Sequence, residues 1–112
     1  MVKLTVLYGH PADPAAFDRY YQEVHIPLAS KMQGWAGWTI GKFEATIPGE
    51  QPPFYLIVAL YAESRAAAEA ILASPEGQAA VADVPNFTTG GAQFMFDEEQ
   101  VIFPVQLAGS PA

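Results

Sequence analysis

Cysteine is absent from this chain. That excludes a disulfide, a thiolate nucleophile and any Cys-ligated zinc or iron–sulfur centre. Positive charge is scarce: five Lys and Arg stand against twelve Asp and Glu, a net charge of −7. Lys3, Arg19, Lys31, Lys42 and Arg65 are scattered, so no cluster gathers to neutralise phosphates, and neither nucleic acid nor a membrane surface is an expected partner. No apolar run approaches the roughly 20 residues that span a bilayer. The N-terminal stretch reaches Gly9-His10-Pro11 too soon for a signal peptide, so a cytoplasmic location is expected. The dinucleotide and P-loop glycine patterns are missing, and Ser30, Ser64 and Ser74 lie in no nucleophile-elbow context. His10 and His25 would have to share a metal with Asp13 or Asp83, at a spacing that matches no compact metal motif. The expectation is therefore no metal and no cofactor.

What is present is apolar. Hydrophobic residues make up 51% of 112 residues and charged ones 15%, against about 25% charged in a typical domain. One domain with one core fits this length. The shortage of surface charge suggests that another subunit covers part of the apolar surface.

Residues 2–8 alternate as a strand. Asp13 is a good N-cap ahead of Pro14, and Phe17, Tyr20, Tyr21, Val24 and Leu28 form one apolar helix face. Pro27 cannot donate to the carbonyl of Glu23, which predicts a kink or restart near residues 25–27. Residues 38–46 read as a strand that Gly41 weakens or bulges. Residues 54–62 (FYLIVALYA) are the clearest strand, apolar on both sides. Ser64 caps a helix over 65–73, Ser74-Pro75 opens another over 76–82, and 92–97 form a fourth strand. The order is the split βαβ pattern of an α+β, ferredoxin-like βαββαβ fold. Its helices cover one sheet face. The two-sided strand then calls for cover on the other, most simply the same face of a second copy, and the facing sheets would enclose a small apolar pocket. Residues 1–99 form the domain. The apolar tail, 100–112, reads as an edge segment or an arm that packs on the dimer.

With cysteine absent, His25 is the side chain best suited to acid–base work near neutral pH. Tyr21 and Asp18 lie one and two turns before it, so a phenol or carboxylate there can orient the ring. The alternative is that His25 merely hydrogen-bonds the broken turn. His10 stands in a loop, either at a pocket mouth or simply solvated. Asp83 ends a helix, where the dipole disfavours a negative charge, and so invites a hydrogen-bond partner. Trp35, Trp38, Phe87, Phe94 and Phe96 are candidates to line a cavity or to pack the core.

The segments LYGHPADPAAFDRYYQEVHIPLA (7–29) and SPEGQAAVADVPNFTTGG (74–91) together resemble the EthD family, named for ethyl tert-butyl ether degradation. The resemblance spans residues 2–97 and implies a homodimeric α/β barrel formed through the sheets. EthD-like proteins are often labelled oxidoreductases. Similar dimeric barrels include muconolactone-type isomerases and cofactor-free monooxygenases that act on small cyclic compounds. Tyr21, His25 and Pro27 match the family's Tyr-x-x-x-His-x-Pro pattern, and in related methylisomerases that histidine is proposed to shuttle protons, alongside cysteines that this chain lacks. Asp83, Asn86, Phe87 and Gly90-Gly91 match family positions too. The resulting expectation is a cofactor-independent enzyme, oxidoreductase- or isomerase-like, acting on a small hydrophobic metabolite. His25 would be its general acid/base, Tyr21 and Asp83 would assist, and Trp38, Phe87, Phe94, Phe96 and His10 would contact substrate. The competing expectation is a non-catalytic binding or accessory protein for an oxygenase pathway, with a haem or metal protein as a third possibility.

Overall fold

The computed structural model describes residues 1–105. Strand β1 (Val2–Tyr8) leads to helix α1 (Pro14–Tyr20), a π-turn (Tyr21–His25) and the short helix α2 (Ile26–Ala29). β2 (Gly37–Lys42) and β3 (Leu56–Ala62) follow, then α3 (Arg65–Ala73), α4 (Pro75–Asp83), a 3₁₀ turn (Val84–Asn86) and β4 (Ala92–Glu98). The sheet order is β2-β3-β1-β4, antiparallel throughout. This is the ferredoxin-like fold expected from the element order.

The local signals act as their chemistry dictates. The side chains of Asp13, Ser64 and Ser74 accept from the backbone N–H of Ala16, Ala67 and Gly77, capping α1, α3 and α4. Leu4, Val6 and Tyr8 of β1 lie opposite Leu60, Val58 and Leu56 of β3, and all six are buried beneath the helices. The opposite face carries Thr5, Leu7, Thr39, Ile57, Ala59, Tyr61 and Met95. Lys3 and Asp97 put charge on that face only at one end, where they pair at 3.5 Å.

The restart expected near residues 25–27 is present, with α2 beginning at Ile26 and Pro27 in its first turn. The turn before it is widened: the N–H of Ile26 reaches back to the carbonyl of Tyr21, a π-type bond that relieves the crowding a proline imposes on a regular turn. A spacing of four overshoots an α-turn but falls short of a π-turn. The wide turn therefore cancels the drift and leaves Phe17, Tyr21, His25 and Ala29 all buried on one side. β2 ends at Lys42 rather than near residue 46, and Gly41 pairs regularly with Ile57, without a bulge. Val101, Ile102, Phe103 and Val105 of the tail join no strand and stand 70–84% exposed; the rest of the tail lies outside the described residues.

The loop after β1 is stitched to the loop before β4. The N–H of Gly9 donates to the carbonyl of Gly91 at 3.0 Å, and the N–H of Ala12 to Thr89 Oγ1 at 2.9 Å. The backbones approach so closely that a Cβ on Gly90 would stand 2.3 Å from the carbonyl oxygen of His10. Gly90→Ala is thus expected to cost about 2 kcal/mol or more, a fall of roughly 10 °C in Tm on thermal melting.

Candidate active site

That stitching holds the end of α4 against the π-turn. His25 (6% exposed) and Asp83 (8%) meet there, with Nδ1 2.9 Å from Oδ2. The other carboxylate oxygen accepts from the Tyr20 hydroxyl at 2.6 Å and from Asn86 Nδ2 at 3.0 Å. Burial pushes the Asp83 carboxyl upward, but donation from Tyr20, Asn86 and His25 outweighs it and holds the group below the usual carboxylate range. An ionised Asp83 can only accept, so His25 carries its proton on Nδ1 and Nε2 is left as the basic nitrogen. Phe87 packs against the imidazole at 4.8 Å and Tyr21 at 5.3 Å.

His25 forms part of the wall of a cavity of about 40 Å³. Tyr8, Tyr21, Trp38 and Phe94 share that wall, with aliphatic side chains of β1 and β3 below and apolar side chains of the helical layer, among them Leu72, Val81 and Val84, above. Burial, with Tyr21 and Asp83 nearby, raises the Tyr8 hydroxyl. Burial pushes Tyr21 up to about 12, against the pull of the Trp38 N–H. Both phenols therefore stay protonated at neutral pH.

The position of this cavity differs from expectation. It lies between the helices and the sheet of one chain, not on the open face where a second sheet would close it. His25 projects from the helical layer, and the cavity wall comes from the helix-facing side of the sheet, Val6, Val58 and Leu60 among it. Trp38 and Phe94 pair with Leu60 and Val6 on that same side.

The other anticipated residues separate. Phe87 backs the imidazole rather than lining the cavity. Phe96 also lies outside the lining and carries the Arg65 guanidinium 4.1 Å above its ring. His10 is elsewhere, its Nε2 2.6 Å from the carbonyl oxygen of Pro52 and its ring edge-on to Tyr55. Asp18, placed near His25 by helical spacing, instead accepts from Lys42 and Tyr55 at 2.5 and 2.7 Å. Tyr20 belongs in the sequence to the apolar stripe of α1; its bond to Asp83 spans 63 residues and leaves no local signal. Among the described residues no three His, Asp or Glu side chains converge as a metal cradle, and no helix is long and apolar enough to cross a membrane.

Residues 9–91, which contain both the His25 turn and the Asp83 block, match the family model of the EthD domain. The chain belongs to the EthD family. An uncharacterized 11.0 kDa Rhodococcus erythropolis protein from the thcB–thcC intergenic region is 42% identical over 104 residues, covering 93% of this chain and 100% of that one. The crystal structure of an EthD-family protein from Bacillus halodurans superposes with a TM-score of 0.82 at 30% identity, covering 89% of this chain and 99% of that chain. An EthD-like protein from Ralstonia eutropha gives 0.68 at 21% identity, covering 87% and 89%.

Proposed function

We propose that this EthD protein is a cofactor-independent enzyme of small-molecule metabolism, in which His25 Nε2 is the general base. The observation that supports it is the arrangement around Asp83. A buried, ionised carboxylate with two further donors holds one histidine nitrogen and leaves the other for an apolar cavity, the orientation by which a carboxylate makes an imidazole an effective base. SnoaB from Streptomyces nogalater, which shares the fold at a TM-score of 0.61 and 13% identity, is described as a cofactor-independent oxygenase. That lends the reading a precedent in the same fold.

A cavity of about 40 Å³ holds a few waters rather than a ring compound. Substrate binding therefore requires it to widen. A cleft of about 300 Å³ between α1 and β2 shares Tyr21 as a wall, and Tyr21 is the first residue of the π-turn, so its movement would join the two spaces. The test needs no knowledge of the final product. In deuterated water, a panel of small cyclic ketones and phenols is followed by NMR for C–H exchange. Wild-type protein is expected to catalyse exchange in at least one, and His25→Gln to lose it. Binding without exchange, or exchange that survives His25→Gln, would instead favour a carrier or accessory role.

The second part of the proposal is a homodimer through the open sheet faces. Its support is a face with charge only at one end, on which the apolar Met95 stands 45% exposed in a single chain. The exposed apolar residues of the tail would pack on the partner. A ferredoxin-like protein of Bacteroides fragilis, 14% identical with a TM-score of 0.62, is described as dimeric. Light scattering is expected to return twice the chain mass, and Ile57→Asp, which places a charge at the centre of that face, to return a monomer. A wild-type monomer at micromolar concentration would refute the pairing.

A further inference from the structure

Trp38 Nε1 is buried and has no hydrogen-bond partner, although buried donors are nearly always paired. Trp35 shares that state but does not line the His25 cavity, whereas Trp38 does. Trp38 and Tyr21 both line that cavity, and the indole N–H closes no hydrogen bond within the described chain. Among the described residues around the cavity, His25 is the one with a basic nitrogen, and the Trp38 indole and the Tyr8 and Tyr21 phenols are the hydrogen-bond donors. The indole N–H is closed off in the narrow state and becomes reachable only when the cavity widens. The rest of the wall is aliphatic or aromatic, with no Lys or Arg. A carboxylate or phosphate ligand would find no cation there, since the nearby Lys42 is engaged by Asp18 in the outer cleft.

We propose that the Trp38 indole N–H, with the Tyr21 hydroxyl beside it, is the binding site for one ligand oxygen, and that the ligand class is a small apolar ring bearing a phenol or carbonyl oxygen at or next to its acidic proton. This rests on the general-base reading of His25. The proton passes to His25 Nε2, and the electron pair stays on the ligand as a phenolate or enolate. Its oxygen accepts from Trp38 and Tyr21. No group leaves and no oxidant takes part. Donors already in place where negative charge develops are the arrangement that stabilises oxyanions most effectively.

Titration with para-nitrophenol and para-nitroanisole separates the parts, because phenolate absorbance reports ionisation of the bound probe. Wild-type protein is expected to prefer the phenol by about tenfold or more and to shift its ionisation to lower pH, as hydrogen bonds to a charged oxygen require. Trp38→Phe and Tyr21→Phe should each reduce that preference and that shift by about tenfold. Thermal melts verify that each variant is folded, and if Trp38→Phe is not, Tyr21→Phe carries the test. Retention of the full shift in both phenylalanine variants, with its loss in His25→Gln, overturns the oxygen site but leaves the base intact. Equal affinity for phenol and anisole, or failure to bind either at millimolar concentration, also overturns the oxygen site. Binding of the phenol with no ionisation shift in the wild type overturns both readings.

Discussion

His25→Gln is expected to lower the rate of proton exchange, and any turnover that depends on it, by two to four orders of magnitude, the range typical of a lost general base. Glutamine keeps a polar group of comparable reach and can still donate to Asp83, so the fold should survive. Nε2, the one basic nitrogen among the described residues of the cavity wall, is what disappears. A thermal melt run beside the kinetics separates the two effects. Loss of rate with a Tm within a few degrees of wild type supports a chemical role. A parallel collapse of both would return His25 to the structural part also open to it, that of tying the π-turn to α4.

Asp83→Asn should cost a similar factor in rate, for a different reason. On the proposed reading the carboxylate acts through His25, by fixing which nitrogen carries the proton. An amide can present its NH₂ to His25, favouring the tautomer with the proton on Nε2 and removing the base. The same variant tests the electrostatics of the fold. Asp83 has its pKa lowered in the folded state by the Tyr20, Asn86 and His25 donors, which overcome the opposing effect of burial. Its stabilising contribution is therefore complete above the unfolded carboxylate pKa of about 4 and is lost as pH falls through the lower folded value. Urea melts between neutral pH and about pH 3 should show wild type losing stability more steeply than Asp83→Asn. Asp18, lowered by Lys42 and Tyr55, titrates in both proteins and cancels in the difference between the two curves, which reports Asp83 together with its pairing to His25. Parallel curves would mean that the three donors do not favour the charged form.

Most of the fold was legible because its signals are local. Asp13-Pro14, Ser64 and Ser74-Pro75 each place a side-chain acceptor within three residues of the N–H it satisfies, so the helix starts follow from the sequence alone. Alternation in residues 2–8 and 54–62 identified the two central strands for the same reason. The π-turn was half legible. Pro27 announced a disturbance, but a kink and a widened turn relieve the same clash. Only packing against the sheet, which rewards four aligned buried positions, selects the second.

The candidate site was legible residue by residue but not as a constellation. His25, Asp83, Tyr21, Trp38 and Phe94 were all named, and periodicity set the wrong carboxylate, Asp18, beside the histidine. The partner that bonds to it comes from 58 residues away. Helical spacing relates side chains on one element, while the approach of α4 to the π-turn depends on the close contact of Gly9 with Gly90 and on the shared core beneath both. Which side of the sheet holds the cavity was likewise undecidable from a strand apolar on both faces, since alternation separates two faces without labelling them. The sequence by itself thus determined the elements, their order, the family and the chemical inventory, all carried by short-range pattern and composition. The tertiary structure decided which carboxylate meets the histidine, which nitrogen is left basic and which face the cavity occupies, because each depends on contacts between segments that only packing brings together.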